Sequence, residues 1–140
     1  MTGGYAVWSL LAAVAAGSIG AVLRWTSVSW LHGVLSRRNS DPDPFPLGVL
    51  VANTVASLVA GVAVPVASVV GPQWRLVIVA GLCGGLSTLS TLAVDTVAMW
   101  KRGQRVGAMT NLAANLILGV LAAVLGAHAF GPALAAAWDG

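Results

Sequence analysis

Apolar residues fall into four long runs along the 140-residue chain, separated by short polar connections. The first extends from Gly4 to Leu23 and continues past Arg24 to Trp30; the others cover Pro46 to Val70, Leu76 to Trp100 and Val106 to Phe130. Each is long enough for the roughly 20 residues that an α-helix needs to cross a bilayer. The pattern predicts an all-α membrane protein: one four-helix transmembrane domain over residues 1–140, with spans at about 4–30, 46–70, 76–100 and 106–130 and both termini on the same side. Connections this short leave no extramembrane domain for an active site. The third run departs from a plain span. Gly81-Leu-Cys-Gly-Gly-Leu-Ser-Thr-Leu-Ser-Thr-Leu-Ala93 sets a glycine cluster before a hydroxyl cluster. That loosens the helix and puts polar groups where lipid offers no partner, which is tolerated only where the break is buried in protein or lines a wet path. A broken third helix acting as a site is the expectation.

Polar positions in the other runs share a helical period. Asn53, Ser57 and Gly61 follow at steps of four on one face, beside a small-residue stripe of Ala52, Ala56 and Ala60 that permits close helix approach. Asn111, Asn115, Gly119 and Ala123 repeat the arrangement in the fourth run. Two readings stand. The asparagines glue helices together, or, with Ser87, Thr88, Ser90 and Thr91, they line a path for a small ion. Neutral amide and hydroxyl donors suit an anion that must shed water without being trapped by a full charge. The glycine cluster reads as a Gly81-x-x-x-Gly85 packing groove, as a kink, or as a break whose freed carbonyls bind a cation. Arg24 either snorkels to the surface or faces a wet vestibule that draws anions. Asp95 is placed to pair with Lys101, Arg102 or Arg24. His32 and His128 lie near run ends and give no metal signal.

Composition strengthens the membrane reading: 58% hydrophobic, 8% charged, mean hydropathy +0.89. The single cysteine, Cys83, lies in a span and excludes a disulfide framework. A cleaved signal peptide is not expected, because no basic region precedes the first run and the bundle needs that span. Tryptophans at 8, 30, 74, 100 and 138 sit near run ends, as interfacial anchors do. Seven Lys/Arg against four acidic residues give a pI near 10. In a soluble protein that balance would suggest nucleic acid. Here it reports orientation. Arg37 and Arg38 lie in the first connection and Lys101, Arg102 and Arg105 in the third, whereas the opposite side carries only Arg75. The positive-inside rule puts those two connections in the cytoplasm and both termini outside, in one fixed orientation.

The sequence resembles the Fluc (CrcB) fluoride channel family over nearly its whole length. Gly17-Ser-Ile-Gly-Ala-Val-Leu-Arg24 resembles the family's first-helix Gly-x-x-Gly-x-x-x-Arg signature, and Pro46 to Asn53, followed by Gly61, its second-helix motif. Gly81 to Leu92 is similar to the third-helix motif Gly-Phe-Cys-Gly-Gly-Leu-Thr-Thr-Phe-Ser-Thr-Phe; Asp95 and Lys101-Arg-Gly-Gln, C-terminal to it, also stand where the family has an acidic residue and a similar loop. The resemblance implies a plasma-membrane (bacterial inner-membrane) channel, not an enzyme, that lowers cytoplasmic fluoride by passive export. It implies an antiparallel dimer in contact with lipid and without nucleic acid. A structural sodium ion at the dimer centre would be held by the main-chain carbonyls of Gly84 and Ser87. The pore would be lined by Asn53, Ser90, Thr91, Asn111 and Asn115, with Arg24 near its vestibule.

Two departures narrow that expectation. The family's pore phenylalanines correspond to Leu89 and Leu92, which fill similar space without an aromatic quadrupole. A strong charge bias also opposes insertion of one sequence in both directions. Both favour a heterodimer with a second, oppositely inserted Fluc-type subunit over a homodimer. Competing readings are a proton-coupled drug or cation exporter of the four-helix type and a non-conducting assembly subunit. An exporter would use a membrane-embedded acid, and the chain has no glutamate and only Asp95 within a span. An assembly subunit would not need to keep Asn53, Asn111 and Asn115.

Overall fold

A backbone in hydrocarbon must satisfy its own N–H and C=O groups, so each apolar run resolves into helix. The computed structural model describes residues 3–38 and 45–138 and is helical almost throughout them; the side chains of His32, Arg37, Arg38 and Trp138 lie outside what it describes. Helix α1 spans Gly3–Arg38 and α2 spans Leu47–Val70. The third crossing is composite: α3 (Pro72–Arg75), a π-helical stretch (Leu76–Cys83), α4 (Gly84–Leu86) and α5 (Leu89–Lys101). Helix α6 spans Arg105–Trp138. Among the described residues, four segments are long and apolar enough to cross a membrane: Val7–Leu31, Leu47–Val66, Gln73–Lys101 and Arg105–Ala129. This is a multi-pass, all-α membrane protein.

Two helices extend beyond their membrane spans. Helix α1 continues from Trp30 to Arg38, because no proline or cap intervenes, so Arg37 and Arg38 end a helix and do not float in a loop. Helix α6 similarly continues past Phe130 to Trp138. The turns that reverse the chain use glycine's access to positive φ: Gly71 at 104° before α3, and Gly103 at 83° between α5 and α6.

Packing follows from size more than from hydrophobicity, since lipid is as apolar as any side chain and gives helices no solvent-driven reason to associate. Small residues face inward (Ala52, Ala56, Ala63, Ala108 and Ala122 are buried) and large ones such as Leu10, Val14, Leu116 and Leu125 face outward. Trp8, Trp30, Trp74 and Trp100 are likewise exposed. Helix α2 lies along α6. The first half of the third crossing packs on α1 and α2, whereas α5 packs on α6. The crossing therefore changes partners midway, and its break falls at the change.

Backbones touch at two seams. A Cβ on Gly81 would come within 2.6 Å of the Ala13 carbonyl, and one on Gly85 would run into the Gly17 carbonyl. Between α2 and α6, a Cβ on Gly61 would collide with the Ala123 carbonyl, and one on Gly126 would lie 2.5 Å from that of Leu58. The packing-groove reading of Gly81-x-x-x-Gly85 thus describes these two glycines, while the break comes just after them.

Gly61→Ala should force α2 from α6 and destabilise the protein by about 1–3 kcal/mol, the usual cost of overpacking. Gly33→Ala, where nothing lies within 4 Å of the added carbon, should be neutral or slightly stabilising. Retention of the monodisperse gel-filtration peak after heating in detergent compares the two; equal losses would contradict the seam.

Candidate functional site

The third crossing loses helical geometry at two residues. Ser87 (φ −77°, ψ 150°) and Thr88 (φ −147°, ψ 107°) are extended between α4 and α5. The π-helical stretch before them already carries wider hydrogen bonds: the Gly84 N–H reaches back to the carbonyl of Val79 as well as that of Gly81. Such stretches are rare and concentrate at functional sites.

Side chains take up the donors that the break releases. In a continuous helix the Thr88 N–H would bond the Gly84 carbonyl, four residues back. It donates instead to Asn53 Oδ1, at 2.8 Å, and the Ser87 hydroxyl donates to the same oxygen at 3.1 Å. The Thr91 N–H would bond the Ser87 carbonyl. It donates instead to Thr88 Oγ1, at 3.1 Å, which makes Thr88 the N-cap of α5. Asn53 and Thr88 therefore divert the two donors that would otherwise close on Gly84 and Ser87. Neither carbonyl receives the hydrogen bond that a continuous helix would give it.

Behind Asn53 runs a ladder of amides. Its Nδ2 donates to Asn115 Oδ1 at 2.8 Å; Asn115 Nδ2 donates to the Asn111 carbonyl and Oδ1, at 2.9 and 3.2 Å. Asn111 Nδ2 donates to Thr96 Oγ1 at 3.0 Å, and Thr96 closes the chain on the Leu92 carbonyl at 2.7 Å. One uninterrupted path of neutral groups thus ties α2, the break, α6 and α5 together. Both lone pairs of Asn53 Oδ1 are used, while its second N–H has no partner among the described residues. Hydroxyls add another donor. Thr88 Oγ1 lies 3.1 Å from Ser90 Oγ and 2.9 Å from Thr91 Oγ1. With a single proton to donate, Thr88 can serve only one of them, so the residue it serves keeps its own O–H uncommitted.

Burial sorts the sequence-predicted residues. Asn111 has no accessible surface and Asn115 is buried, so both stand inside the protomer behind Asn53, which is half-buried. Ser90 is exposed and Thr91 half-buried, and both hydroxyls meet that of the buried Thr88. The two leucines part company: Leu89 is 78% exposed, whereas Leu92 is 7% exposed and belongs to the protomer's interior. Gly84 is exposed and Ser87 half-buried. Arg24 is half-buried on α1, away from the ladder's bonds. Asp95, half-buried on α5, lies within the field of Arg102. The Arg105 guanidinium sits over the Trp100 ring at 5.5 Å, bracing the α5–α6 turn.

Sequence reasoning missed Thr96 and the π-helical stretch. Thr96 was recoverable: it lies seven residues before the Gly103 turn and Asn111 eight after it, so an antiparallel pair brings them together. Among the described residues no group of three or more His, Cys, Asp or Glu could hold a metal. The oxygens suited to a cation are the neutral, hard carbonyls of Gly84 and Ser87, a donor set that fits a monovalent ion such as sodium.

The chain is similar to known proteins over most of its length. Residues 11–127 match the family model described as CrcB-like protein, Camphor Resistance (CrcB). A protein of Renibacterium salmoninarum named fluoride-specific ion channel FluC is 37% identical over 113 residues, covering 79% of this chain and 90% of the relative. Proteins of the same name from Nitrosomonas europaea and Escherichia coli O1:K1 are 38% and 36% identical, over 79% and 84% of this chain and 84% and 90% of theirs.

Thr88→Val removes both the cap and the hydroxyl hub and should cost about 1–2 kcal/mol, as loss of an N-cap does. Thr88→Ser should retain most of the stability. Equilibrium unfolding in mixed micelles measures the pair; equal stabilities for Val and Ser would refute the capping role.

Proposed function

The chain belongs to the CrcB family, and on that footing we propose that it is a subunit of a fluoride channel that lets fluoride leave the cytoplasm passively. The observation that carries the reading is the uncharged donor network wrapped around the third-span break. Fluoride is small and strongly hydrated. A path for it must replace water with donors, yet hold no fixed positive charge that would trap the ion. The uncommitted N–H of Asn53 and the spare hydroxyl proton at Ser90 or Thr91 are such donors. Asn115 and Asn111, which the sequence resemblance puts in the pore lining, serve it from behind Asn53, polarising that amide through the ladder. Arg24 lies toward the vestibule, where it raises the local anion concentration. The Gly84 and Ser87 carbonyls would hold a structural sodium ion, on the oxygen side of Asn53 and apart from the donors offered to fluoride.

The active assembly is a dimer of oppositely inserted subunits. The exposed Lys101, Arg102 and Arg105 around the α5–α6 turn keep that turn in the cytoplasm of a bacterium and leave both termini outside. A strong bias of this kind favours a partner of different sequence. Leu89, exposed where the family has an aromatic ring, supports a partner that brings the aromatic edges this chain lacks.

Liposomes loaded with fluoride provide the test. The chain reconstituted alone should give little efflux above background, and efflux should appear on co-reconstitution with a second family subunit. In that pair Asn53→Leu should reduce flux by at least about tenfold, consistent with the loss of roughly 1.4 kcal/mol or more at the barrier. Robust flux from the chain alone would remove the obligate partner, and absence of fluoride flux from every pairing would remove the channel reading.

A further inference from the structure

The Asn53 amide touches two systems at once, and its two ends are not interchangeable. Its oxygen holds the Thr88 N–H and the Ser87 O–H at the break; its nitrogen holds Asn115 Oδ1 on α6. Asn115 in turn has both Nδ2 protons committed to Asn111, so its oxygen is the atom left to face Asn53. A flipped Asn53 would set oxygen against oxygen at Asn115 and nitrogen against a donor at Thr88. The ladder therefore fixes which end of the amide meets the break.

We propose that Asn53, oriented by Asn115, is a positioning residue for the cation site: by taking the Thr88 N–H it keeps the Gly84 carbonyl free to bind the ion. Thr88 does the same for the Ser87 carbonyl by taking the Thr91 N–H. Remove either acceptor, and the donor it held has a ready substitute in the carbonyl four residues back, which closes a helical hydrogen bond and withdraws an oxygen from the cation. The residue whose nitrogen end faces the anion path and whose oxygen end holds the cation cradle open thus couples the two ions through one planar group. This inference rests on the reading of Gly84 and Ser87 as a sodium site. It goes beyond that reading by assigning the side chains that create the site.

Sodium binding to the full chain, purified with any subunit that accompanies it, tests the assignment without reference to fluoride flux. Thermal stability is followed as sodium replaces choline at constant ionic strength. The wild-type chain should be stabilised by sodium in a saturable manner. Asn53→Leu should raise the half-saturating concentration by at least about tenfold, as loss of a group that orients metal ligands does. Asn53→Asp, which retains an acceptor for the Thr88 N–H, should bind sodium more tightly than the leucine variant. Thr88→Val, a separate route to the same closure, should also weaken sodium, and Thr88→Ser should not. Amide hydrogen exchange adds a second readout: in Asn53→Leu the Thr88 N–H should stay protected, now by Gly84, although sodium affinity has fallen. A wild-type chain indifferent to sodium would overturn the sodium reading and this inference with it. Unaltered sodium affinity in both Asn53→Leu and Thr88→Val, with the wild type responsive, would overturn the inference alone.

Discussion

The whole structure turns on the scarcity of hydrogen-bonding partners in hydrocarbon. Each unpaired backbone N–H or C=O buried away from water costs about 1–3 kcal/mol, so a helix cannot simply be interrupted in mid-membrane. It can be interrupted where side chains replace the lost partners. Asn53 and Thr88 do this for the donors at 88 and 91, and the extended pair Ser87–Thr88 exists because of them. The break is thus a product of two helices and a cap, and not a local weakness of the third crossing.

Packing makes that replacement possible. An asparagine side chain is short, and Asn53 reaches both the break and Asn115 only because the backbones around it approach closely. The α2–α6 seam at Gly61 and Gly126 and the α1 seam at Gly81 and Gly85 supply this proximity. Stability and site geometry consequently share residues: a methyl group on a seam glycine would also displace the amide that caps the break. The partner change of the third crossing, from α1 and α2 to α6, has the same origin. Two extended residues give the offset, and the ladder fastens the second half to its new neighbour through Thr96 and Asn111.

Much of this was legible in the sequence, and the remainder shows where periodicity stops informing. Four apolar runs give the spans, since length and hydropathy decide insertion. The steps of four at Asn53 and at Asn111–Asn115 identify the faces that meet. The glycine-then-hydroxyl order located the break to within a few residues, but not which part breaks: glycines here serve approach, and Ser87–Thr88 leave the helix. The π-helical stretch carries no pattern of its own, because an unbroken apolar run reads alike in an α-helix and in the wider π-helix. Hydropathy marks where lipid ends, and it does not show that α1 and α6 run on as helix beyond their spans, to Arg38 and Trp138. Nor could composition show that Leu89 is exposed and Leu92 buried: residues three apart share a helix face, and the two differ because Leu89 is the first residue of α5, at the break.

The same scarcity of partners bears on assembly. Diverting two donors frees the carbonyls of Gly84 and Ser87 from the helical bonds they would otherwise accept. Gly84 is exposed on the protomer's surface, at a depth where lipid can offer nothing to an oxygen. One chain in a bilayer would therefore face hydrocarbon with the atoms that its own side chains have just released. On the proposed reading, a cation would satisfy those oxygens in place of an N–H, and a second subunit would close the remaining side against lipid, over the exposed Leu89 and Ser90. The donors that suit an anion and the acceptors that suit a cation come from the same break, on either side of one asparagine.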